Sequence, residues 1–152
     1  MRYLLIILAL LGITASSLAL REHYREYGDS PCSINERWDC GVVNHSPFAV
    51  LGGVFEQMGV PRIPPLSAMP VATAGILGYI LMAALILVRR YRLLSAFTLL
   101  SFAFSLFLTH IEKDVLLVWC IYCVISLAII SLMSLLALGT VIAQFVRKPS
   151  PA

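Results

Sequence analysis

Four stretches that lack Asp, Glu, Lys and Arg, residues 3–20, 71–88, 93–111 and 115–146, alternate with short blocks in which the charges are concentrated. The first three are each close to the roughly 20 residues an α-helix needs to cross a hydrocarbon core, and the fourth is long enough for a tilted helix with one end outside it. None has the apolar–polar alternation of a barrel strand, and an open strand edge cannot face lipid, so helices are predicted. The expected fold is an all-α membrane protein: a four-transmembrane-helix bundle with spans at about 3–20, 71–88, 93–111 and 115–146 and a long first loop over 21–69.

Composition removes the soluble alternative. Hydrophobic residues make up 60% of the 152 and charged residues 12%, more apolar side chain than a globular core of this size can hide from water. Arg2, the apolar run and "TASS" have the features of a secretory signal peptide, but the run continues through Leu18 to Leu20, so an uncleaved first helix is expected.

Charge placement sets the predicted orientation. The tight "RRYR" connection carries Arg89, Arg90 and Arg92 without an acid, and Arg147 and Lys148 follow the last stretch; with Arg2 they belong on the cytoplasmic side. Glu22, Glu26, Asp29, Glu36, Asp39, Glu56, Glu112 and Asp114 then all fall on the opposite side, with both termini inside. In the first loop, "SPFAVLGGVF" reads as a short amphipathic helix over 48–58 lying along the membrane surface, with Pro47 at its first position and Ser46 as its N-cap.

This topology brings four cysteines to one side. Cys32 and Cys40 lie in the first loop, and Cys120 and Cys123 open the fourth stretch. Residues three apart share a helix face, so the latter pair suits a reversible CxxC disulfide, and a helix N-terminus favours thiolate. Three readings stay open on the residues alone: a loop clip through Cys32 and Cys40, a zinc site, or two halves of a redox relay. The extracytoplasmic side of a prokaryotic membrane is oxidising enough for disulfides to persist.

The chain resembles the vitamin K epoxide reductase family of its bacterial and archaeal type. The likeness rests on four helices, C-x7-C as Cys32 and Cys40 in the first loop, Ser46 six residues later in "CGVVNHS", and CxxC as Cys120 and Cys123 at the start of the last helix. It implies a quinone-dependent thiol-disulfide oxidoreductase of the prokaryotic inner membrane, and with it four roles. Cys32 would exchange with a thioredoxin-like or DsbA-like partner, Cys40 would form a transient disulfide with Cys120, Cys123 would face a bound quinone, and Ser46 would orient that quinone. Ubiquinone or menaquinone is the implied acceptor, since "LSAMPVATAG" lacks the asparagine of the animal enzymes and Leu127 stands where they have a tyrosine. Vitamin K epoxide reduction proper, and a structural membrane subunit with a stapled loop, are the alternatives. The family of the bacterial disulfide-bond formation protein B has its CxxC in the first outer loop, the reverse of the order here.

A single membrane-embedded domain is expected over 1–152, with no fused thioredoxin-like domain and so a separate partner; no metal and no nucleic-acid partner are expected. His45 reads as a solvent-facing loop residue, and Trp38 and Trp119 as interface anchors. His110, Glu112, Lys113 and Asp114 form an outer turn whose plain reading is a solvated cap, with proton uptake for the quinone as its alternative. Gly75, Gly78, Ala83 and Ala84 suggest close packing of the second helix.

Overall fold

The computed structural model describes every residue except Tyr27, Asp29, Arg62 and 147–152, so the charges assigned above to Asp29, Arg147 and Lys148 lie outside the described residues. Among the described residues there are helices and turns but no strand. The helices are α1 (Arg2–His23), α2 (Cys40–His45), α3 (Leu51–Gln57), α4 (Val71–Leu87), α5 (Tyr91–Ile111) and α6 (Ile121–Val146). By length and composition three segments can cross a membrane, Arg2–His23, Tyr91–Leu116 and Ile121–Gln144; α4 is equally apolar but has 17 residues. The protein therefore has three to four candidate membrane-spanning helices.

These segments are helical because lipid leaves backbone polar groups no other partner, and their hydroxyls follow the same constraint. Thr14 and Ser17 in α1 donate to the carbonyls of Leu10 and Ile13, and Ser131 and Ser134 in α6 donate to those of Leu127 and Ile130. Each bond stays within one turn of its own helix. The outward faces are apolar, with Ile7, Leu11, Leu77, Leu81, Leu100 and Leu135 exposed.

Helix boundaries differ from the charge boundaries in three places. Between α4 and α5 the chain turns through Arg89, in the left-handed region at φ 57°. The Arg89 and Arg90 N–H groups close back on the carbonyls of Ile86 and Leu85, at 3.2 and 3.0 Å, as a Schellman cap. α5 then starts at Tyr91 and includes Arg92, because an arginine at a helix end can carry its charge to the interface on an apolar stem. The largest difference is at 115–146. Residues Glu112–Leu116 continue α5 as a π turn, Leu117 adopts φ 58°, and α6 begins only at Ile121. Absence of charge marked apolarity there, not helix.

The helix expected over 48–58 is also divided. Pro47–Ala49 form a 3-10 turn, Val50 is extended and bridges to Pro70, and α3 starts at Leu51. The Leu51 N–H donates to the Met69 carbonyl at 2.9 Å, which ties this segment to the start of α4.

The bundle core is made by Leu5, Leu8 and Ala9 of α1, Tyr79, Met82 and Ile86 of α4, Leu94 of α5, and Ile130, Met133 and Ala137 of α6. α1 meets α4 through small residues. A Cβ added at Gly75 would stand 2.9 Å from the Ser16 hydroxyl, and one added at Gly12 would clash with the edge of the Tyr79 ring. Tyr79 is fixed from its other end, with its hydroxyl 2.9 Å from the Ser126 hydroxyl and 3.1 Å from the Ser126 carbonyl.

Gly12→Val is therefore expected to destabilise the bundle by about 1–3 kcal/mol through overpacking against Tyr79. Gly139→Val, where an added Cβ meets nothing within 4 Å, should stay within about 0.5 kcal/mol. Denaturant unfolding in detergent, followed by helical circular dichroism, compares the two.

Candidate functional site

Each cysteine pair is approached through a short non-helical segment, polar and aromatic before Cys40 and apolar before Cys120. In "NERWDC" the Asn35 side-chain oxygen accepts from the N–H groups of Arg37 and Trp38, at 2.9 and 3.1 Å, a turn that asparagine favours. In the second segment Leu117 redirects the chain after the π turn, and the Val118 N–H closes on the Glu112 carbonyl at 3.2 Å. The two segments then pair. Trp119 donates its N–H to the Arg37 carbonyl at 2.8 Å and accepts from the Asp39 N–H at 3.1 Å, with the Trp38 and Trp119 ring centroids 6.3 Å apart. The bridge pairs Trp38 with Trp119, so Cys40 opens α2 and Cys120 directly precedes α6 from adjoining segments of chain.

The result is one buried cluster of Cys32, Cys40, Val43 and Cys120, with Tyr122 and Cys123 packed against it. Cys32 and Cys40 are joined in a disulfide with their Cα atoms 5.6 Å apart, while Cys120 and Cys123 are free thiols. All four cysteines thus meet at one end of the bundle.

Two features shape the electrostatics of this end. Asp39 caps α2, accepting from the Val42 N–H at 3.1 Å and the Ser33 hydroxyl at 2.6 Å. Burial pushes its carboxyl up, but the bonds from Ser33, Val42 and Gly41 together hold it below the usual carboxylate value. The Cys120 thiol is also held below its ordinary value, chiefly by the Cys123 thiol donating to it. Burial and the Glu112 carboxylate oppose this, and the backbone N–H groups of Cys123 and Tyr122 assist it. These N–H groups belong to the free first turn of α6.

Asn44, not singled out in the sequence, and Glu112, named there only as part of the outer turn with proton uptake as its alternative reading, are both built into this site. Asn44 is buried, donates to the Cys40 carbonyl at 2.9 Å, and has the same nitrogen 3.7 Å from the Cys120 sulfur. Its carbonyl accepts from His23 at 2.6 Å, which ties α2 to the end of α1. Glu112, read above as part of a solvated cap, is instead buried at 4% exposure. Its carboxylate accepts the Cys120 N–H at 3.2 Å and stands close to the Cys123 thiol. Its neighbours His110 and Asp114 do form the exposed part of the turn, paired at 2.6 Å. Spacing was the available signal for Glu112: eight residues before Cys120, it reaches back once the intervening turn is folded.

Other residues gain detail. Ser46 makes no N-cap bond to the following turn; its hydroxyl donates to the Val43 carbonyl at 2.8 Å and closes α2. His45 is exposed, as expected, and its ring nitrogens also stand 2.8 Å from the carbonyls of Gly41 and Arg25. The two tryptophans pack on each other.

Beneath the cluster lies a mostly apolar cavity of about 430 Å³ between α1, α4, α5 and α6. Phe97, Phe104, Gly75 and Gly78 line its depth, and Asn44, Ser46, Glu112 and Cys123 line the end nearest the cysteines. A cavity of that size and polarity suits a mostly apolar organic molecule with a few polar atoms at one end.

The model of the vitamin K epoxide reductase family matches residues 3–138, most of the chain, and the chain belongs to that family. A search of curated proteins found no match. Membership of the family and the Cys32–Cys40 disulfide indicate a membrane thiol oxidoreductase, and quinone-type electron carriers are general to the family.

Asp39 gives this end of the molecule a pH dependence of known sign. A carboxyl held below its unfolded value contributes stability above that unfolded value, near 3.9, and loses the contribution as pH falls through the lower folded value. The protection factors of the α2 amides, that is, their exchange rates corrected for the intrinsic pH dependence, should accordingly fall on acidification below about pH 4, and Asp39→Asn should flatten that response. Asp39→Ala should cost about 1 kcal/mol at neutral pH through the lost cap.

Proposed function

We propose that this member of the vitamin K epoxide reductase family passes electrons from a separate thioredoxin-like or DsbA-like partner to a membrane quinone, and so promotes disulfide formation in exported proteins. The observation that carries the reading is the meeting of an oxidised pair, Cys32–Cys40, with a reduced pair, Cys120 and Cys123, at the polar end of an apolar cavity.

The chemistry is a series of thiolate attacks on disulfides. A partner thiolate opens the loop disulfide at Cys32 and frees the Cys40 thiolate. Cys40 attacks Cys120 of an oxidised CxxC, making a Cys40–Cys120 disulfide and releasing Cys123. The partner's second thiol frees Cys32, which attacks Cys40; the loop disulfide is restored and Cys120 leaves as thiolate. The low value at Cys120 suits it to that leaving role. Oxidised loop and reduced CxxC, the state of this structure, is the product of that step.

The cavity fits the acceptor that the family implies: apolar walls for a ring and tail, and polar groups at Asn44, Ser46 and Glu112 beside Cys123 for its oxygens. When bound there, a quinone supplies a two-electron, two-proton acceptor for the dithiol. Ser46 is proposed to orient it, and ubiquinone or menaquinone is the proposed class.

In this reading α4 also crosses the membrane. Its 17 residues reach about 26 Å at 1.5 Å per residue, at the lower limit for a span. The cysteine end then faces the extracytoplasmic side of a prokaryotic inner membrane, and the end with Arg2, Arg89, Arg90 and Arg92 faces the cytoplasm. A structural subunit with a stapled loop is supported by the disulfide alone and gives the free Cys120 and Cys123 no purpose.

Cys120→Ala and Cys123→Ala are each expected to reduce quinone-dependent oxidation of a dithiol partner to background, measured with the purified protein in lipid. In Cys123→Ala the remaining Cys120 should be recovered bonded to Cys40 on non-reducing peptide mapping. Wild-type turnover in either variant sinks the relay, whereas a staple protein would lose stability on removal of Cys32 or Cys40 and show no quinone-dependent turnover at all.

A further inference from the structure

Glu22 and Glu112 are the buried carboxyl side chains among the described residues. Glu22 has an arginine nearby, with Arg25 Nε at 4.0 Å. Glu112 instead meets the CxxC from two sides, through the Cys120 N–H at 3.2 Å and the Cys123 thiol, and it lines the cavity that Cys123 also lines. Withdrawing a carboxyl from water is unfavourable, and a helix N-cap needs only a neutral oxygen acceptor. An acid held against a thiol, a helix start and a cavity at once is better suited to moving a proton than to capping.

We propose that Glu112 is the proton acceptor of the Cys120–Cys123 dithiol, taking the Cys123 thiol proton as the disulfide closes and releasing it into the cavity. The assignment rests on the quinone-linked reading above and names a residue that reading does not require. The step balances as follows. Cys120 starts as thiolate and Cys123 as thiol; formation of the S–S bond releases two electrons and one proton. The electron pair goes to the quinone-class acceptor, and the proton goes to a Glu112 carboxylate oxygen and from there to an acceptor oxygen. One further proton from solvent completes the quinol. Cys123 thus loses its proton inside the protein, with no need for water to reach a thiol at the membrane boundary.

Glu112→Gln separates this role from a cap, because the amide oxygen still accepts the Cys120 N–H but cannot carry a proton. In the full chain in lipid, this variant should keep its unfolding temperature within about 2 °C and lose roughly 100-fold in quinone-dependent dithiol oxidation, the scale of one general base. A second readout needs no quinone. When the reduced wild type is oxidised with ferricyanide, which takes electrons and no protons, difference infrared spectra should show a protonated-carboxyl band growing as the thiol S–H band disappears. The Glu112→Gln spectrum should lack the carboxyl band. The proposal is overturned if Glu112→Gln turns over within about twofold of wild type, because a missing general base costs far more. It is overturned equally if turnover falls with no carboxyl band in the wild type, or only in step with the unfolding temperature. Should Glu112→Gln fail to fold, Glu112→Asp keeps the acid and must retain both the band and measurable turnover. If the wild type shows no quinone-dependent turnover, the functional reading fails, while the infrared band still decides whether Glu112 takes the thiol proton.

Discussion

Two backbone hydrogen bonds, from Trp119 N–H to Arg37 and from Asp39 N–H to Trp119, determine how the first loop sits on the helical bundle. They join the residues just before Cys40 to the residue just before Cys120, so the helices that follow start from a common base. Everything at this end depends on that register: the shared burial of Cys32, Cys40 and Cys120, the reach of Asn44 from α2 towards the Cys120 sulfur, and the cap that Asp39 places on α2. A single bridge can set this because lipid forbids unpaired backbone deeper in the bundle and leaves irregular pairing to its end.

The polar groups of the site are few, and most bind more than one element. Asn44 links α2, the end of α1 and the CxxC; Glu112 links the end of α5 to the start of α6. Buried groups tied in this way are held in place before any ligand arrives, as an electron-transfer site requires. The small residues of the α1–α4 contact have a comparable effect from below. Gly12 and Gly75 let the two backbones approach closely, and Tyr79 is held between them and Ser126 beside the cavity.

Much of the fold was legible because a bilayer imposes few solutions: long uncharged runs become helices, and charge blocks become turns and loops. Where the reading missed, it missed at element ends. The run 115–146 carried no mark of the π turn or of Leu117 at positive φ, since both are chosen by the need to bring Trp119 back to Arg37. Val50 left its expected helix for the same kind of reason, a bridge to Pro70 that lies far along the chain.

By itself the sequence determined the helical, membrane-type architecture, the family, and the presence of two cysteine pairs with different spacings, because these follow from local hydrophobicity and local motif. Tertiary structure alone decided that Cys32 and Cys40 are the bonded pair and that Cys120 lies in their cluster. It also turned Glu112 from an apparent surface charge into a buried neighbour of both free thiols. The physical reason is the same in each case. Whether near residues such as Glu112 and Cys120, eight apart, face each other is set by how the turn between them folds, and that turn is held by a partner as far as 82 residues along the chain, Arg37 to Trp119.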